Sequence, residues 1–191
     1  GGAGGLGLLT ARWVAQQGAD ALILVSRSGL LELSMLRERE QVYATGVATF
    51  VVRCDIAEPM HTQRVLAQTK YVPTGMWHAA GVLADGVLSN QTSESVAVVY
   101  APKAYGSWTV HQAIAQAPLA VRVFFSSVSS LLGGAGQANY SAANACLDAQ
   151  GSWCSARSQT AVSVQWGAWA EVGMAARGAA SARMAAMETA S

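Results

Sequence analysis

Short apolar runs alternate along the chain with longer segments in which apolar residues recur every three to four positions. The short runs predict β-strands at Ala21–Val25, Val47–Val52, Gly75–Ala79, Val121–Ser126 and Ala161–Trp166. The periodic segments predict helices after the glycines at the start of the chain, at Leu30–Thr45, from Pro59 to about Thr69, at Thr92–Gln116 and at Tyr140–Gln159. Strands that alternate with helices over short links indicate an α/β domain, with a parallel sheet covered by helices on both faces.

Composition supports one core-rich domain and excludes several classes of protein. The 191 residues are 52% hydrophobic and 12% charged, with a net charge of +1. This charged fraction is about half the ~25% of ordinary soluble domains, and the apolar content excludes disorder. The near-zero net charge argues against a nucleic-acid partner, which would need a basic face. No run reaches the about 18 consecutive apolar residues that a membrane helix needs. The odd cysteines Cys54, Cys146 and Cys154 lack metal-type spacing, which favours free thiols, no metal and a cytoplasmic location.

A glycine-rich turn opens the chain and is followed directly by a helix. Gly2-x-Gly4-x-x-Gly7 has dinucleotide-binding spacing, and the same segment also reads as Gly1-x-x-x-Gly5-x-Gly7. Glycines let the backbone approach a pyrophosphate, and the helix N-terminus adds positive potential. Such a turn normally follows a strand. We therefore expect a fragment of a doubly wound, Rossmann-like fold that lacks its first and last strands.

The end of the first predicted strand bears on which dinucleotide binds. Domains that bind NAD hold the ribose 2′-hydroxyl with an acidic residue about 20 positions past the glycines, whereas an arginine suits a 2′-phosphate. Arg27 lies twenty residues past Gly7, and Ser26 and Ser28 flank it. This arrangement predicts NADPH, because a guanidinium with neighbouring hydroxyls suits a phosphate monoester. The alternative is a solvated loop arginine.

The ends of the next two strands supply further candidate cofactor contacts. Asp55 could accept a hydrogen bond from the adenine amino group, or it could cap the helix that begins near Pro59. After His78, the small residues Ala80 and Gly81 would let the chain pass close to a flat cofactor. We expect His78 to be a half-buried structural histidine and assign it no chemistry.

Four polar residues form the candidate catalytic group. Ser127 ends a strand, and Tyr140 and Asn144 share a helix face because they lie four residues apart. Lys103 lies on the apolar stripe of an earlier helix, where a lysine is costly unless it is paired or functional. Each of the first three also has an ordinary interpretation, as a strand-end cap, a surface ring and a helix-face amide.

Together these residues suit the reduction of a ketone. Hydride addition produces an alkoxide, which Tyr140 could protonate if the Lys103 ammonium lowers the pKa of its hydroxyl. Ser127 could hydrogen-bond the same oxygen. Asn144 could hold the lysine, or a water that returns the proton.

The motifs together resemble the ketoreductase domain of modular polyketide synthases, which belongs to the short-chain dehydrogenase/reductases. They are Gly1–Gly7, Ser26-Arg27-Ser28, Cys54-Asp55, His78-Ala79-Ala80-Gly81, Ala101-Pro102-Lys103, Phe125-Ser126-Ser127, Gly136–Asn144 and Trp166-Gly167-Ala168-Trp169. Typical short-chain reductases carry a lysine four residues after the tyrosine. Here Asn144 stands at that position and Lys103 comes from the earlier helix, as in polyketide and animal fatty-acid synthase ketoreductases.

The resemblance implies NADPH-dependent reduction of a β-ketoacyl thioester to a β-hydroxyacyl thioester. It implies an acyl carrier protein as the bearer of the phosphopantetheine-tethered substrate, and neighbouring synthase domains in the same polypeptide. Residues 170–191 would form a lid. By resemblance, the cofactor contacts are Gly1, Gly2, Gly4, Gly5, Leu6, Gly7, Ser26, Arg27, Asp55, Ala80 and Gly81.

The resemblance also implies substrate-orienting roles for Leu83, Asp85 and Trp169. One subtype, which forms the D-configured alcohol, carries Leu-Asp-Asp where this chain has Leu83-Ala84-Asp85. The opposite subtype carries tryptophan where this chain has Leu132, so the first subtype is favoured. A non-catalytic scaffold domain, a fatty-acid synthase ketoreductase and a free-standing dehydrogenase for small alcohols are the alternatives. The last is disfavoured because no lysine follows Tyr140.

Overall fold

A computed structural model describes residues 1–31 and 35–169. The strands in this part of the chain are β1 (Ala21–Ser26), β2 (Ala48–Arg53), β3 (Gly75–His78), β4 (Val121–Ser127) and β5 (Ala161–Trp166). The helices are α1 (Gly5–Gln16), α2 (Leu36–Tyr43), α3 (Pro59–Gln68), α4 (Ser93–Tyr100), α5 (Gly106–Ala113), α6 (Ser129–Leu132) and α7 (Ala138–Ser155). A π-helical turn, Ala101–Tyr105, joins α4 to α5, and a short 3₁₀ helix spans Leu88–Asn90.

All strand pairs in the described part of the chain are parallel, which confirms the predicted α/β class. β1 pairs with β2, and β4 lies between β3 and β5. β1 and β3 are not paired with each other, and a groove of about 660 Å³ lies between them. In Rossmann-type sheets the strand that leads into the glycine turn occupies this position. The described residues supply no strand there. The predicted loss of a closing strand concerns residues 170–191, which lie outside the described part.

Two apolar clusters hold the helices against these strands. One lies between α1, β1 and α2, and its buried residues include Leu8, Leu22 and Val42. The other lies between β3, β4, α5 and α7, and its centre is formed by Phe124 and Leu147, both fully buried. Each such side chain contributes about 1.5–3 kcal/mol through burial. The second cluster holds α7, with Tyr140 in its first turn, against β4, which ends at Ser127.

The helix predicted to begin at Leu30 begins instead at Leu36. Gly29 has a φ of +69°, outside the helical region. The Gly29 amide donates to Ser26 Oγ at 3.1 Å and the Leu30 amide donates to Ser28 Oγ at 3.2 Å. These local hydrogen bonds make a turn after β1, because serine hydroxyls compete with helical hydrogen bonding.

The long helix predicted over Thr92–Gln116 is interrupted by a π-helical turn and ends at Ala113. Thr92 and Ser95 form a reciprocal cap at its start, which confirms the predicted beginning. Pro102 has no backbone N–H, so the regular α-helical ladder cannot continue through the turn. π-Helical turns add a residue and rotate the side chains that follow, often at functional sites. Lys103 lies within this turn and is only 3% exposed.

Candidate active site

The glycine turn lies at the carboxyl ends of β1 and β3, beside a cavity of about 340 Å³. The cavity-lining residues include seven of the predicted cofactor contacts: Gly1, Gly4, Ser26, Arg27, Asp55, Ala80 and Gly81. The other four, Gly2, Gly5, Leu6 and Gly7, do not line this cavity but belong to the turn and the first turn of α1. In open α/β sheets, ligands bind at this edge.

The glycines of the turn are needed for different structural reasons. A Cβ on Gly7 would lie 2.8 Å from Gly2 Cα, so Gly7 lets α1 pack directly on the turn. A Cβ on Gly1 would lie 2.5 Å from the Ala80 nitrogen. At Gly4 the nearest protein atom would be 3.4 Å away, so a side chain there would occupy the cavity rather than meet the protein.

The start of α1 suits an anionic ligand. No side chain caps this N-terminus, and its first turn carries no acidic residue. Helix N-termini with unsatisfied N–H groups attract phosphate through those groups and through the helix dipole. The residues present therefore fit a dinucleotide, whose pyrophosphate the glycine turn and the start of α1 would hold.

Arg27 and Asp55 both line the cavity beside the glycine turn. Arg27 is exposed at the rim, in the turn that follows β1. Asp55 Oδ1 accepts from the Ala57 amide at 3.1 Å, while the residue at the N-cap of α3 is Glu58. Asp55 therefore shapes the turn before α3 and does not cap the helix itself. Its lining position stays compatible with an adenine contact.

His78 is buried and lies at the end of β3. Burial, with a smaller contribution from the Lys103 charge, lowers the pKa of His78 to about 3. Its Nε2 has no hydrogen-bond partner among the described residues. The imidazole is therefore neutral at physiological pH. The predicted half-buried position is wrong, because His78 points into the packed interior and is only 5% exposed.

Lys103 reaches the candidate catalytic tyrosine from the π-helical turn. Its Nζ donates to the Phe125 carbonyl oxygen at 3.1 Å and lies 5.2 Å from the centre of the Tyr140 ring. Burial lowers the pKa of Lys103 to about 8, and the charge of Asp148 opposes this shift. An ammonium over an aromatic face is also stabilised by the ring quadrupole. The predicted approach of a lysine from a different helix is thus present.

The Tyr140 hydroxyl is not made more acidic by its surroundings, contrary to the expectation. Burial raises the pKa of Tyr140 above its ordinary value, and the side chains of Asn144 and Ser127 lower it by less. The charge of Asp85 also raises this pKa. The expected lowering is wrong because desolvation of the phenolate outweighs the hydrogen bonds from Asn144 and Ser127. Tyr140 is consequently protonated at neutral pH, which is the form that can donate a proton.

Asn144 and Ser127 complete the cluster. Asn144 is fully buried, and its Nδ2 donates to the Tyr140 carbonyl oxygen at 2.8 Å. Its Oδ1 has no partner among the described residues, so one acceptor remains for a lysine, water or ligand. Ser127 Oγ accepts from the Ser129 amide at 3.2 Å, so its O–H is directed to other acceptors, and the Ser127 side chain forms a hydrogen bond with Tyr140. The structure therefore brings all four predicted side chains together.

The three predicted substrate-orienting residues lie in different surroundings. Asp85 lies near Gln137, whose Nε2 donates to the carboxylate at 3.3 Å. Leu83 is half-buried and lies in the same segment, directly after the cavity-lining residue Val82. Trp169 is the last described residue, and its ring packs edge-on against Trp166 at 5.3 Å. The lid predicted at 170–191 lies outside the described residues.

Two further residues of α7 were not among the predicted site residues, although Asn139 suits the D-alcohol subtype. Asn139 Nδ2 donates to the Ala84 carbonyl at 2.8 Å and so anchors the segment that carries Leu83 and Asp85. Asp148 binds serine and glutamine side chains beneath the cluster. The spacing of Tyr140, Asn144 and Asp148 at four-residue intervals was the available signal, since such positions share a helix face.

Neither a membrane-spanning helix nor a metal cluster occurs in the described ranges. No helix there is long and apolar enough to cross a bilayer. No three His, Cys, Asp or Glu side chains are grouped there to hold a metal ion. The three cysteines are unpaired, as predicted from their number, and two of them are buried.

The site combines a glycine turn at the N-terminus of a helix with a cluster of serine, tyrosine, lysine and asparagine. This combination is typical of reductases of the short-chain dehydrogenase/reductase class. The family model described as the KR domain matches residues 1–171. Polyketide synthase GfsB of Streptomyces halstedii is 42% identical over 186 residues, which are 96% of this chain and 3% of that synthase. The phthioceranic/hydroxyphthioceranic acid synthase of Mycobacterium tuberculosis H37Rv is 39% identical over 193 residues, which are 98% of this chain and 9% of that synthase.

Solved structures give the same result. A structure of A-type ketoreductases from a modular polyketide synthase matches with a TM-score of 0.89 at 33% identity, and covers 96% of this chain and 39% of that chain. The first ketoreductase of the tylosin polyketide synthase matches with a TM-score of 0.84 at 37% identity, and covers 94% and 39%. The chain therefore belongs to the ketoreductase domain family of modular polyketide synthases. It spans less than a tenth of the length of these two curated relatives.

Proposed function

We propose that this domain uses NADPH to reduce the β-keto group of an acyl thioester carried by an acyl carrier protein of the same synthase. The observation that supports this best is the position of the Lys103 ammonium, 5.2 Å from the Tyr140 ring and hydrogen-bonded to β4. A buried cation is costly. Its place beside a protonated phenol is explained if negative charge forms on that phenol during the reaction.

The residues of the cluster divide the work of proton transfer. When NADPH is bound, it supplies the hydride that adds to the β-carbon. Tyr140 gives its hydroxyl proton to the carbonyl oxygen, and Ser127 donates a hydrogen bond to the same oxygen. The product is a β-hydroxyacyl thioester, with a tyrosinate left on the protein. Electrons and protons balance once Tyr140 regains a proton from solvent.

In this scheme Lys103 stabilises the tyrosinate rather than the resting phenol. The resting Tyr140 has a raised pKa, so it holds its proton until the alkoxide forms. When the negative charge moves to the phenol, the ammonium lies close to it in a poorly solvated site, where charge interactions are strong. Asn144, with its open Oδ1, is placed to bind the water that returns the proton.

Arg27 should decide the choice between NADPH and NADH. In Arg27→Ala we expect the KM for NADPH to rise about 10- to 100-fold, because a charge-assisted hydrogen bond to a phosphate contributes about 1.5–3 kcal/mol. The KM for NADH should change little. Arg157→Ala is the matched control, since that exposed arginine stacks on Trp153 away from the cavity. Equal losses for both cofactors, or none, would contradict the NADPH assignment.

Asp85 should influence the configuration of the alcohol, which we propose to be D. Its charge acts on Tyr140 and its carboxylate lies beside Gln137, so it can orient the thioester relative to the proton donor. We expect Asp85→Ala to change the ratio of the two β-hydroxy products, measured by chiral chromatography. Asp20→Ala, at an exposed position before β1, is the control. An unchanged ratio would remove Asp85 from the specificity determinants.

The non-catalytic alternative is tested by the reaction itself. The full-length protein should oxidise NADPH in the presence of a β-ketoacyl thioester, followed by loss of absorbance at the nicotinamide band. NADPH binding without turnover on any β-ketoacyl thioester would favour a scaffold domain. Turnover of small alcohols but not of thioesters would favour the free-standing dehydrogenase.

A further inference from the structure

Asp148 lies two turns beyond Tyr140 on α7, on the same face as Tyr140 and Asn144. Its carboxylate receives hydrogen bonds from elements on both sides of the active site. Ser163 Oγ, on β5, donates to Oδ1 at 2.6 Å. Ser130, on α6, and Gln165, on β5, approach Oδ2 at 2.6 and 3.0 Å. One side chain therefore ties the tyrosine helix to α6 and β5.

This network reaches the catalytic serine directly. The Ser130 hydroxyl also lies 2.9 Å from the Ser127 carbonyl oxygen, and it accepts from Gln165 Nε2 at 3.1 Å. Ser127 and Tyr140 are thus connected through Ser130 and Asp148, although they lie on different elements. A shift of the carboxylate would change the separation of the two groups that bind the carbonyl oxygen.

Asp148 also carries the charge that acts on the buried lysine. Burial raises the pKa of Asp148, but the hydrogen bonds from its neighbours outweigh burial and hold the pKa below its ordinary value. It is therefore ionised at neutral pH, and its charge raises the pKa of Lys103 against desolvation. Two titratable neighbours of Lys103, His78 and Tyr140, are neutral at neutral pH, since His78 has a lowered pKa and Tyr140 a raised one, while the charged Asp85 acts on Tyr140.

We propose that Asp148 is a positioning residue for the reduction: through its hydrogen bonds with Ser130, Ser163 and Gln165 it holds Ser127 and Tyr140 in register. This inference rests on the proposed function, because it concerns the same proton-transfer cluster. The carboxylate does not touch the substrate. It acts through the hydrogen bonds to α6 and β5 and through its charge at Lys103.

The decisive experiment is the pH profile of kcat in Asp148→Asn, measured in the full-length protein with NADPH and a β-ketoacyl thioester. In the wild type we expect kcat to fall as pH rises through about 8, when Lys103 loses its proton. In Asp148→Asn the fall should move to lower pH, because the charge that raises the Lys103 pKa is gone. At the low-pH plateau, kcat of Asp148→Asn should be lower than that of the wild type by at most about tenfold, as expected for a small displacement of the reacting groups.

Two comparison variants separate charge from anchoring. Ser163→Ala removes one hydrogen bond to Asp148 but leaves its charge, so kcat should fall while the pH midpoint stays near the wild-type value. Ser152→Ala, on an exposed position of the same helix, and Asp20→Asn, an exposed acid before β1, should leave both quantities unchanged. Binding of NADPH, measured by fluorescence, should be unchanged in every variant and reports intact folding.

The outcomes distinguish this inference from the proposed function. An active wild type with an unmoved pH midpoint in Asp148→Asn would overturn the role of Asp148, whatever the loss of kcat. A midpoint that moves to higher pH would overturn it as well. An inactive wild type would refute the proposed function itself. If Asp148→Asn fails to bind NADPH, the conservative Asp148→Glu, which keeps the charge, must retain the wild-type midpoint for the inference to stand.

Discussion

Tyr140→Phe is expected to lower kcat for β-ketoacyl reduction by about 10²–10⁴-fold, the usual contribution of a general acid. The change removes the Tyr140 hydroxyl, which burial keeps protonated, and it keeps the ring over which the Lys103 ammonium lies. Packing and NADPH binding should therefore be preserved. The measurement is steady-state kinetics beside cofactor fluorescence titration.

The matched control for this variant is Tyr43→Phe, because Tyr43 is half exposed at the end of α2, remote from the cluster. Its kcat should equal that of the wild type. A Tyr140→Phe enzyme that keeps wild-type kcat would show that another group donates the proton, and the enzymatic assignment of the cluster would be lost.

Lys103→Met is expected to lower kcat by about 10²–10³-fold, in line with the removal of one preorganised electrostatic group. Methionine fills similar volume, so the loss would report the charge. The pH dependence gives a second signature. Lys103 is protonated below its pKa of about 8, so wild-type activity should be high below that pH and fall above it. In Lys103→Met the fall near pH 8 should be absent.

The chain offers a direct control, since its other lysine is Lys70. Lys70 lies over the Tyr71 ring, beyond the end of α3 and away from the cluster. Lys70→Met should leave kcat and its pH profile unchanged. A fall near pH 8 that persists in Lys103→Met would assign the titration to a different group.

The electrostatics of the site follow from competition between burial and neighbouring charge. Burial favours the neutral forms of both Lys103 and Tyr140: it lowers the pKa of the ammonium despite the charge of Asp148, and it raises the pKa of the phenol despite the hydrogen bonds from Asn144 and Ser127. The resting pair is thus a partly destabilised cation beside a neutral phenol. Transfer of the phenolic proton to substrate creates the anion that this cation is placed to stabilise.

Local patterns in the sequence were sufficient for much of the fold. The five strands were predicted within one residue at each end, because buried strands are short apolar runs that need no knowledge of distant contacts. The start of α2 was wrong, because the serine hydroxyls around Gly29 form turn hydrogen bonds that periodicity does not register. The interruption at Ala101–Tyr105 was missed because one inserted residue is too small a change for the periodicity of a long segment to register.

The candidate site, like the fold, could be predicted only in part from the sequence. The position of Gly1–Gly7 and Arg27 beside one cavity could be predicted, because it depends on spacing along the chain. The direction of the Tyr140 pKa shift could not, because desolvation depends on the packing of β4 and α7 around the hydroxyl. Asp148 was missed because its partners lie 15 to 18 residues away, on other elements.

The sequence by itself determined the alternation of strands and helices, the glycine turn and the four polar residues of the cluster, because each depends on residue type and short-range spacing. Tertiary structure alone decided that the Lys103 ammonium, from the π-helical turn, lies over the Tyr140 ring. It also decided that Asp148 connects α7 to Ser127 through Ser130, and that burial keeps the Tyr140 phenol protonated. Distances between elements and the exclusion of water arise only when the elements pack, and they set the charge state on which the chemistry depends.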